Sequence, residues 1–446
     1  MPNTPFMRII LAVGVVYLSC LPLQAQEIHL HSLEEVLLFA KTNAPEQKIW
    51  KMQGQQQEYA PRMSSAELLP KVRLFATWDN YLQLPVQLLP SEAVGGEPGT
   101  FTEIRFGTQF QTSTGIEASL PLFDPELWSR IKTERLRSRY NLQDISQQEQ
   151  AWTEDIARAY YQLLLHLESR KLAEARHHLS DSIYRLAEIT YQTGEMEPLP
   201  FQRIQATALA AQNALSRQKK QEENARQTLR SLIGAGERML HFDEKIKASE
   251  LKPAFADYEL AALPEWKKAD LLVNMNEQSW KNSRAKHLPR LAASGQFFQQ
   301  ALGNEFGLRE AGTFEVGVIG LSLNWDIFQG NFKRLKTKTA YLDWQISKEQ
   351  QQRTRELLAE ERDRLETDLI QNQGLVTGFG PLLNLYAENF RLAGIQWAEG
   401  QISVDELLQV EREWIEQQQE YLIALSDLFT SKALLAIRNQ SYAENR

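Results

Sequence analysis

The 446-residue sequence holds one cysteine, Cys20, and it lies within the first two dozen residues. That excludes an intrachain disulfide framework and a cysteine-based zinc site. Removal of the segment around it would also end any cysteine catalysis. There is no block of Lys and Arg, and 49 basic residues stand against 57 acidic ones for a formal charge of −8. The concentrated basic patch that nucleic-acid partners require is therefore missing. Beyond residue 25 no apolar run reaches the ~18 residues of a membrane-spanning helix, so a bilayer can be crossed only by β-strands. No phosphate loop, nucleophile elbow or dinucleotide fingerprint is present. Glycine and proline are absent from four long stretches, 126–193, 201–233, 331–373 and 401–446.

What is present begins with Arg8, an apolar run over 9–23 and the small Ala25 before Gln26, which read as an export signal over 1–25. The mature chain then starts at Gln26, with 48 basic residues against 57 acidic ones and no cysteine. A competing reading makes Tyr17-Leu18-Ser19-Cys20 a lipoprotein cleavage site with Cys20 acylated, although Tyr17 stands where such signals usually have an aliphatic residue. The four stretches without Gly or Pro are rich in helix formers. In the first, Leu172, Leu179 and Leu186 recur every seven residues with Ala175 and Ile183 between, the stripe of a helix packed as in a coiled coil. A helix over 126–193 would be about 100 Å long, which predicts an elongated helical column.

Between the helical stretches the period changes to two. Over 104–120 the even positions run Ile104, Phe106, Thr108, Phe110, Thr112, Thr114, Ile116, Ala118 and Leu120, whereas the odd ones carry Arg105, Gln109, Gln111, Ser113, Glu117 and Ser119 with Gly107 and Gly115. Upstream, Val72, Leu74, Ala76 and Trp78 alternate with Lys71, Arg73, Phe75 and Thr77, so the two segments form a hairpin about a Pro- and Gly-rich loop. Such alternation fits a half-buried soluble hairpin or a strand of a membrane barrel.

An internal repeat bears on that choice. Ala44-Pro45-Glu46-Gln47-Lys48 matches Leu263-Pro264-Glu265-Trp266-Lys267, and Leu69-Pro70-Lys71-Val72 matches Leu288-Pro289-Arg290-Leu291. Leu122-Phe123-Asp124 matches Ile327-Phe328-Gln329, and Tyr191-Gln192-Thr193-Gly194 matches Trp397-Ala398-Glu399-Gly400. The first repeat covers 26–234: a helix, a hairpin about 71–120, a long helix about 126–190, a turn about 191–200 and a helix about 201–234. A linker spans 235–256. The second repeat covers 257–438, with a hairpin about 290–327, a long helix about 331–396, a turn about 397–403 and a helix about 404–438; 439–446 is a tail. Four strands cannot close a membrane barrel, which takes about eight, whereas three copies would supply twelve.

The order of these elements resembles that of the TolC-like outer-membrane efflux proteins, over nearly all of the mature chain. The resemblance is carried by Leu33-Glu34-Glu35-Val36-Leu37-Leu38-Phe39-Ala40 with Asn43-Ala44-Pro45-Glu46, by Leu69-Pro70, by Pro121-Leu122-Phe123-Asp124 and by Leu229-Arg230-Ser231-Leu232-Ile233-Gly234. In the second half Trp397, Gly400, Ser403, Asp405 and Leu408 fall on the family's turn pattern. The resemblance implies a mixed, mainly α membrane protein, in which a duplicated helix-strand-strand-helix-helix unit forms a homotrimer. That trimer would make a twelve-stranded outer-membrane β-barrel, four strands per chain, continued by a long periplasmic α-helical barrel. It further implies a periplasmic adaptor and an inner-membrane transporter as partners, and conduction without chemistry on the cargo.

On that reading Arg105, Gln109, Gln111, Ser113 and Glu117 line the lumen while the even face meets outer-membrane lipid. Trp78, Tyr81, Phe101, Phe297 and Phe314 would sit near strand ends at the membrane interfaces. The resemblance places the gate and the adaptor contact at the two turns, which makes Tyr191, Gly194, Glu195, Glu197, Trp397, Gly400, Ser403, Asp405 and Glu406 the candidates. Asp405 and Glu406 would form rings of charge in a trimer, or else cap a helix start. The chain departs from the best-known pattern at Ile402, where a basic residue is usual, and at Gln409, where an acid is. Gly374, Gly378, Gly380 and Pro381 are expected to kink or interrupt a helix. Among the histidines, His29 and His31 alternate and His177-His178 are sequential; neither pair completes a metal site on spacing alone. No catalytic residue, cofactor or metal is expected. The alternatives to a channel are a periplasmic or lipid-anchored coiled-coil scaffold without a pore and a secreted enzyme.

Overall fold

Proline marks where the helices begin. A computed structural model describes residues 28–95, 97–236, 238, 240–242, 258–304 and 312–443. The expected export signal with Arg8 and Cys20, most of the linker 235–256 and the end of the tail lie outside the described residues. In chain order the elements are β1 (Ile28–Leu30), α1 (Leu33–Asn43), α2 (Pro45–Ala66), β2 (Lys71–Asn80), β3 (Val86–Pro90), β4 (Phe101–Arg105) and β5 (Phe110–Phe123). They continue with α3 (Pro125–Gln192), α4 (Pro198–Ile233), β6 (Leu240–Phe242), α5 (Pro264–Ala285), β7 (Arg290–Gly303), β8 (Gly312–Asn324), α6 (Phe332–Ala398) and α7 (Val404–Ala443). Four of the helices open on proline, whose fixed φ suits the first turn and whose missing donor is not needed there. At α3 the preceding Asp124 completes the start, its Oδ1 accepting from the Leu127 N–H at 2.9 Å.

The chain divides into two compact units, one comprising Met1–Met52, Ser146–Leu263 and Leu357–Arg446, the other Gln53–Ile145 and Pro264–Glu356. The first is helical. Its core joins Val36, Ala40 and Ala44 of the N-terminal segment to Ile156, Tyr160, Leu163 and Leu164 of α3, Leu229 and Ile233 of α4, and Ala433 and Ile437 of α7. Burying each large aliphatic side chain contributes about 1.5–3 kcal/mol. Further along α3 the deepest positions are Ala173, Ser180 and Ala187. The expected Leu172, Leu179 and Leu186 stripe is half-buried or exposed instead. Small residues let backbones approach, so they take the seam and the leucines flank it.

The second unit carries the four-stranded antiparallel sheet in the order β2-β5-β7-β8. The hairpin segments expected from the alternation pair as β2 with β5, from Lys71 opposite Ser119 to Asn80 opposite Phe110. The loop between them folds into its own two-stranded sheet, β3 with β4. Two corrections concern expected breaks. First, 104–120 is not one strand: Gly107 takes a left-handed φ of 115° and separates β4 from β5, so Arg105 ends the small β3–β4 sheet and Gln109 precedes β5. Alternation of residue types carried across the break because Phe106 and Thr108 happen to keep its parity. Second, α6 runs through Pro381 without a non-helical insertion, so the expected interruption of the helix is absent. The missing donor costs one helical bond of about 3 kcal/mol locally. On either side Val376 and Ala393 are buried and Phe379 packs edge-on against Tyr421, which holds the helix together. Among the described residues no helix is long and apolar enough to cross a membrane.

Candidate channel wall and helical tip

Cross-strand register sorts the sheet into two faces. Val72, Leu74, Ala76 and Trp78 of β2 lie opposite Ala118, Ile116, Thr114 and Thr112 of β5. Ile116 and Ala118 in turn face Phe297 and Gly295 of β7, which face Gly317 and Ile319 of β8. Val72, Leu74, Trp78, Ile116, Phe297, Ile319, Leu321 and Leu323 on this face are exposed, Ile319 at 94%. The apolar stretch runs from Leu323 and Leu321 to Phe297 and gives way to Thr114, Gln299 and Glu315 farther along the same face; an exposed apolar patch of this size marks a surface that meets lipid or another protein. The opposite face carries Lys71, Arg73, Thr77, Asp79, Gln111, Ser113, Glu117, Ser119, Gln296 and Gln300, with Arg73 donating to Glu117 at 2.5 Å.

Of the five expected lumen residues, β5 brings Gln111, Ser113 and Glu117 to this polar face. Arg105 does not join them, being on the other sheet. Gln109 lies before the strand, where its N–H donates to Asn304 and its carbonyl accepts from Tyr81. The polar face is not uniform. Phe75 and Phe298 both pair with Gly115 and meet across it with centroids 6.1 Å apart, and a Cβ at Gly115 would fall 2.2 Å from the Phe298 Cβ. Of the expected interfacial aromatics, Phe297 is in mid-strand on the apolar face and Phe314 lies on the opposite face. Strand parity decides the face and the ladder decides the height, and neither is fixed by residue type.

The two turns are built alike. Gly194 and Gly400 close α3 and α6 in the left-handed region, at φ 81° and 70°. The following N–H groups reach back across the turn, Glu195 to the Thr190 carbonyl at 3.0 Å and Gln401 to that of Gln396 at 2.8 Å. This is a Schellman closure, for which glycine is the residue of least strain. After the second turn Ser403 and Glu406 form a reciprocal capping box: Ser403 Oγ accepts from the Glu406 N–H at 3.2 Å, and Glu406 accepts from the Ser403 N–H at 3.0 Å. Asp405 instead accepts from Arg203 of α4, which ties the first helix pair to the second beside the turns. Tyr191 stacks on Phe201 at 4.5 Å with rings parallel within 1°. Glu195 and Glu197 are exposed, and Trp397 is half-buried with its carbonyl accepting from Gly400.

Other residues emerge only in three dimensions. Glu411, a turn after buried Leu407, is 1% exposed and lies 3.6 Å from Arg176 of α3. Burial pushes its carboxyl upward, against the pull of Arg176 and Arg412. A charged residue one helical turn from a core leucine was the available signal. Arg438 likewise closes an apolar run, Leu434-Leu435-Ala436-Ile437, and binds Glu154 and Glu361. Glu361, itself 42% exposed, thus reaches in from solvent to a buried guanidinium.

Residues 89–235 match the outer membrane efflux protein family. No curated protein sequence matches the chain. Among solved structures, the Campylobacter jejuni CmeC outer membrane channel is similar at a TM-score of 0.74 and 14% identity, covering 92% of this chain and 85% of that one. The Neisseria gonorrhoeae MtrE outer membrane channel, in its open state, gives 0.70 and 16%, covering 91% and 88%. The Vibrio cholerae outer membrane protein VceC gives 0.68 and 15%, covering 91% and 96%. The chain thus has the fold of these outer-membrane channels and, over residues 89–235, the sequence character of the outer membrane efflux protein family.

Proposed function

We propose that this protein is the outer-membrane channel of a tripartite efflux or type I secretion system. Three copies pool their sheets into a twelve-stranded barrel, with lipid on the apolar face and water on the polar one. The helices stand in the periplasm, where an adaptor and an inner-membrane pump deliver cargo at the two turns. The carrying observation is the four-stranded sheet itself. Its apolar face is exposed, and the outer edges of β2 and β8 have no partner among the described residues. In hydrocarbon each open edge would leave a row of unpaired backbone groups, so the sheet is viable there only when closed by further strands. A coiled-coil scaffold has no use for this face.

Within that reading Gln111, Ser113 and Glu117 line the pore. At the tip, Gly194 and Gly400 make the turns, Tyr191, Glu195, Glu197 and Trp397 meet the adaptor, and Ser403 and Glu406 fix the helix start. Asp405 holds the gate shut through Arg203 rather than as a bare ring of charge. The test is the mass of the detergent-purified protein together with its single-channel conductance in a planar bilayer. A trimer that conducts supports the proposal, and a stable monomer that never conducts overturns it.

A further inference from the structure

In the sheet-bearing unit, side-chain contacts set the helices in one row. Ser138 of α3 donates to the Gln57 carbonyl of α2 at 2.6 Å, Gln278 of α5 donates to Ser129 of α3 at 2.9 Å, and Trp280 of α5 stacks on Trp344 of α6 at 5.3 Å. The row α2-α3-α5-α6 repeats the strand order β2-β5-β7-β8 and likewise ends in two open members. Both end helices carry an exposed stripe. On α2, Gln56, Tyr59 and Met63 follow the three-four spacing of a coiled-coil seam, and Phe332, Leu335 and Thr339 follow it on α6. Tyr59 and Met63 are 57% and 66% exposed, Phe332 and Leu335 61% and 60%, and Gln56 and Thr339 are exposed as well. The same steps continue to exposed Met52 on α2 and Leu342 on α6. The inward side of α6 is a different one, where Thr337 donates to the Ser283 carbonyl at 3.4 Å.

We propose that the two stripes meet between copies: α2 of one chain packs antiparallel on α6 of the next, Met63 opposite Phe332 and Tyr59 opposite Leu335, with Gln56 opposite Thr339 as the polar layer that fixes the register. The inference rests on the barrel shared by three copies, and it continues the strand seam into the helices. In that barrel β2 of one copy lies beside β8 of another. Helix α2 leads into β2 and α6 leads out of β8, so the pair is antiparallel. Met63 lies eight residues before Lys71, where β2 begins, and Phe332 lies eight after Asn324, where β8 ends. Strand pairing therefore brings the stripes side by side with their first layers level. A polar pair within an apolar seam selects one register, because a slip buries the amide of Gln56 against carbon with no hydrogen-bond partner. The Thr339 hydroxyl donates to the Leu335 carbonyl at 3.2 Å, which leaves its oxygen to accept from the Gln56 amide. Lipid would give no reason for stripes of equal spacing at the two ends of the row.

The experiment expresses two forms of the full-length protein together, both Cys20→Ser and one lengthened by a C-terminal tag. One form carries Gln56→Cys and the other Thr339→Cys, so a covalent pair of unequal chains can arise only between copies. Oxidation of native membranes is expected to give that mixed pair, since facing seam positions lie within disulfide reach. Ala340→Cys, on the inward row with Thr337 and Trp344, replaces Thr339→Cys as the register control and should not link. Tyr59→Ser and Leu335→Ser should each speed dissociation of the detergent-stable trimer at least about tenfold, with helical circular dichroism unchanged. A protein that is trimeric by mass but forms no mixed pair, or that links equally through Ala340→Cys, overturns the seam and leaves the shared barrel standing; lipid covering the stripes would give the first of these results. A protein with no trimer at all overturns both.

Discussion

Replacing Arg438 with Met separates a buried charge from its partner while nearly preserving side-chain length. Arg438 donates from Nε to Glu154 at 2.9 Å and from Nη2 to Glu361 at 2.9 Å. The side chains of Arg438 and Glu154 are each 6% exposed, whereas that of Glu361 is 42% exposed. Burial by itself lowers the guanidinium pKa, but the hydrogen bonds and charges of Glu361 and Glu154 outweigh it and raise the pKa, so the group stays cationic. Without Arg438, Glu154 retains, among the described residues, Gln150 at 3.3 Å and the partly solvated Arg158 at 3.4 Å. Leaving a carboxylate buried and uncompensated costs about 3–5 kcal/mol. Glu154→Met in the Arg438→Met background removes that penalty and returns stability to within about 1–2 kcal/mol of wild type, because a packed apolar pair replaces a buried ionic one at little cost. Glu361→Gln, at a solvated partner, costs under about 1 kcal/mol. The assay is denaturant-driven loss of helical circular dichroism in detergent, with the single and double variants closed as a cycle. A cost under about 1 kcal/mol for Arg438→Met, or a double variant as unstable as the two single losses combined, would refute the reasoning.

Three further outcomes follow from the geometry. Gly115→Val has no room beside Phe298 and forces β5 from β7, so the sheet should lose about 1–3 kcal/mol; an unchanged melting temperature in detergent contradicts this. Asp405→Asn and Arg203→Gln break the same tie, so both should raise single-channel conductance to a similar degree; a change in ion selectivity with Asp405→Asn alone would instead make Asp405 a lumen charge. For Glu411, whose carboxyl burial pushes up, the folded state takes up its proton at a higher pH than the unfolded chain does. Stability tied to this group is therefore full below the ordinary carboxylate range and lost as pH rises through the raised value. Glu411→Gln should flatten the unfolding profile across that window and be at least as stable as wild type at pH 7; a marked loss of stability at pH 7 would show that the Arg176 pairing dominates.

Features set by neighbouring residues were the legible ones. Two glycines in equivalent turns and an acid at a helix start, Glu406, each act through backbone geometry within one turn, and the structure uses them in that way. Alternation revealed the strands for the same reason. It failed at Gly107, where the residue pattern continues but the backbone does not. Pro381 does not interrupt α6, since one absent bond cannot end a 67-residue helix held by packing on both sides. The pairs Arg438 with Glu154, Arg176 with Glu411 and His29 with His241 link positions more than 200 residues apart. No local pattern encodes such partners, although a charge in an apolar run marks where one must exist.

Strand closure between copies is the central claim, and disulfide trapping tests it most directly. The chain's only cysteine is Cys20 in the expected export segment, so in a Cys20→Ser background introduced thiols report without interference. Thr77→Cys on β2 and Val318→Cys on β8 place thiols on the two outer strands, and neighbouring positions on each strand scan the register. Oxidation of native outer membranes is predicted to give covalent dimers and trimers at one register, with the series ending at the trimer because three sheets close the ring. Monomers alone at every register, or a ladder continuing beyond three copies, would contradict a barrel shared by three chains.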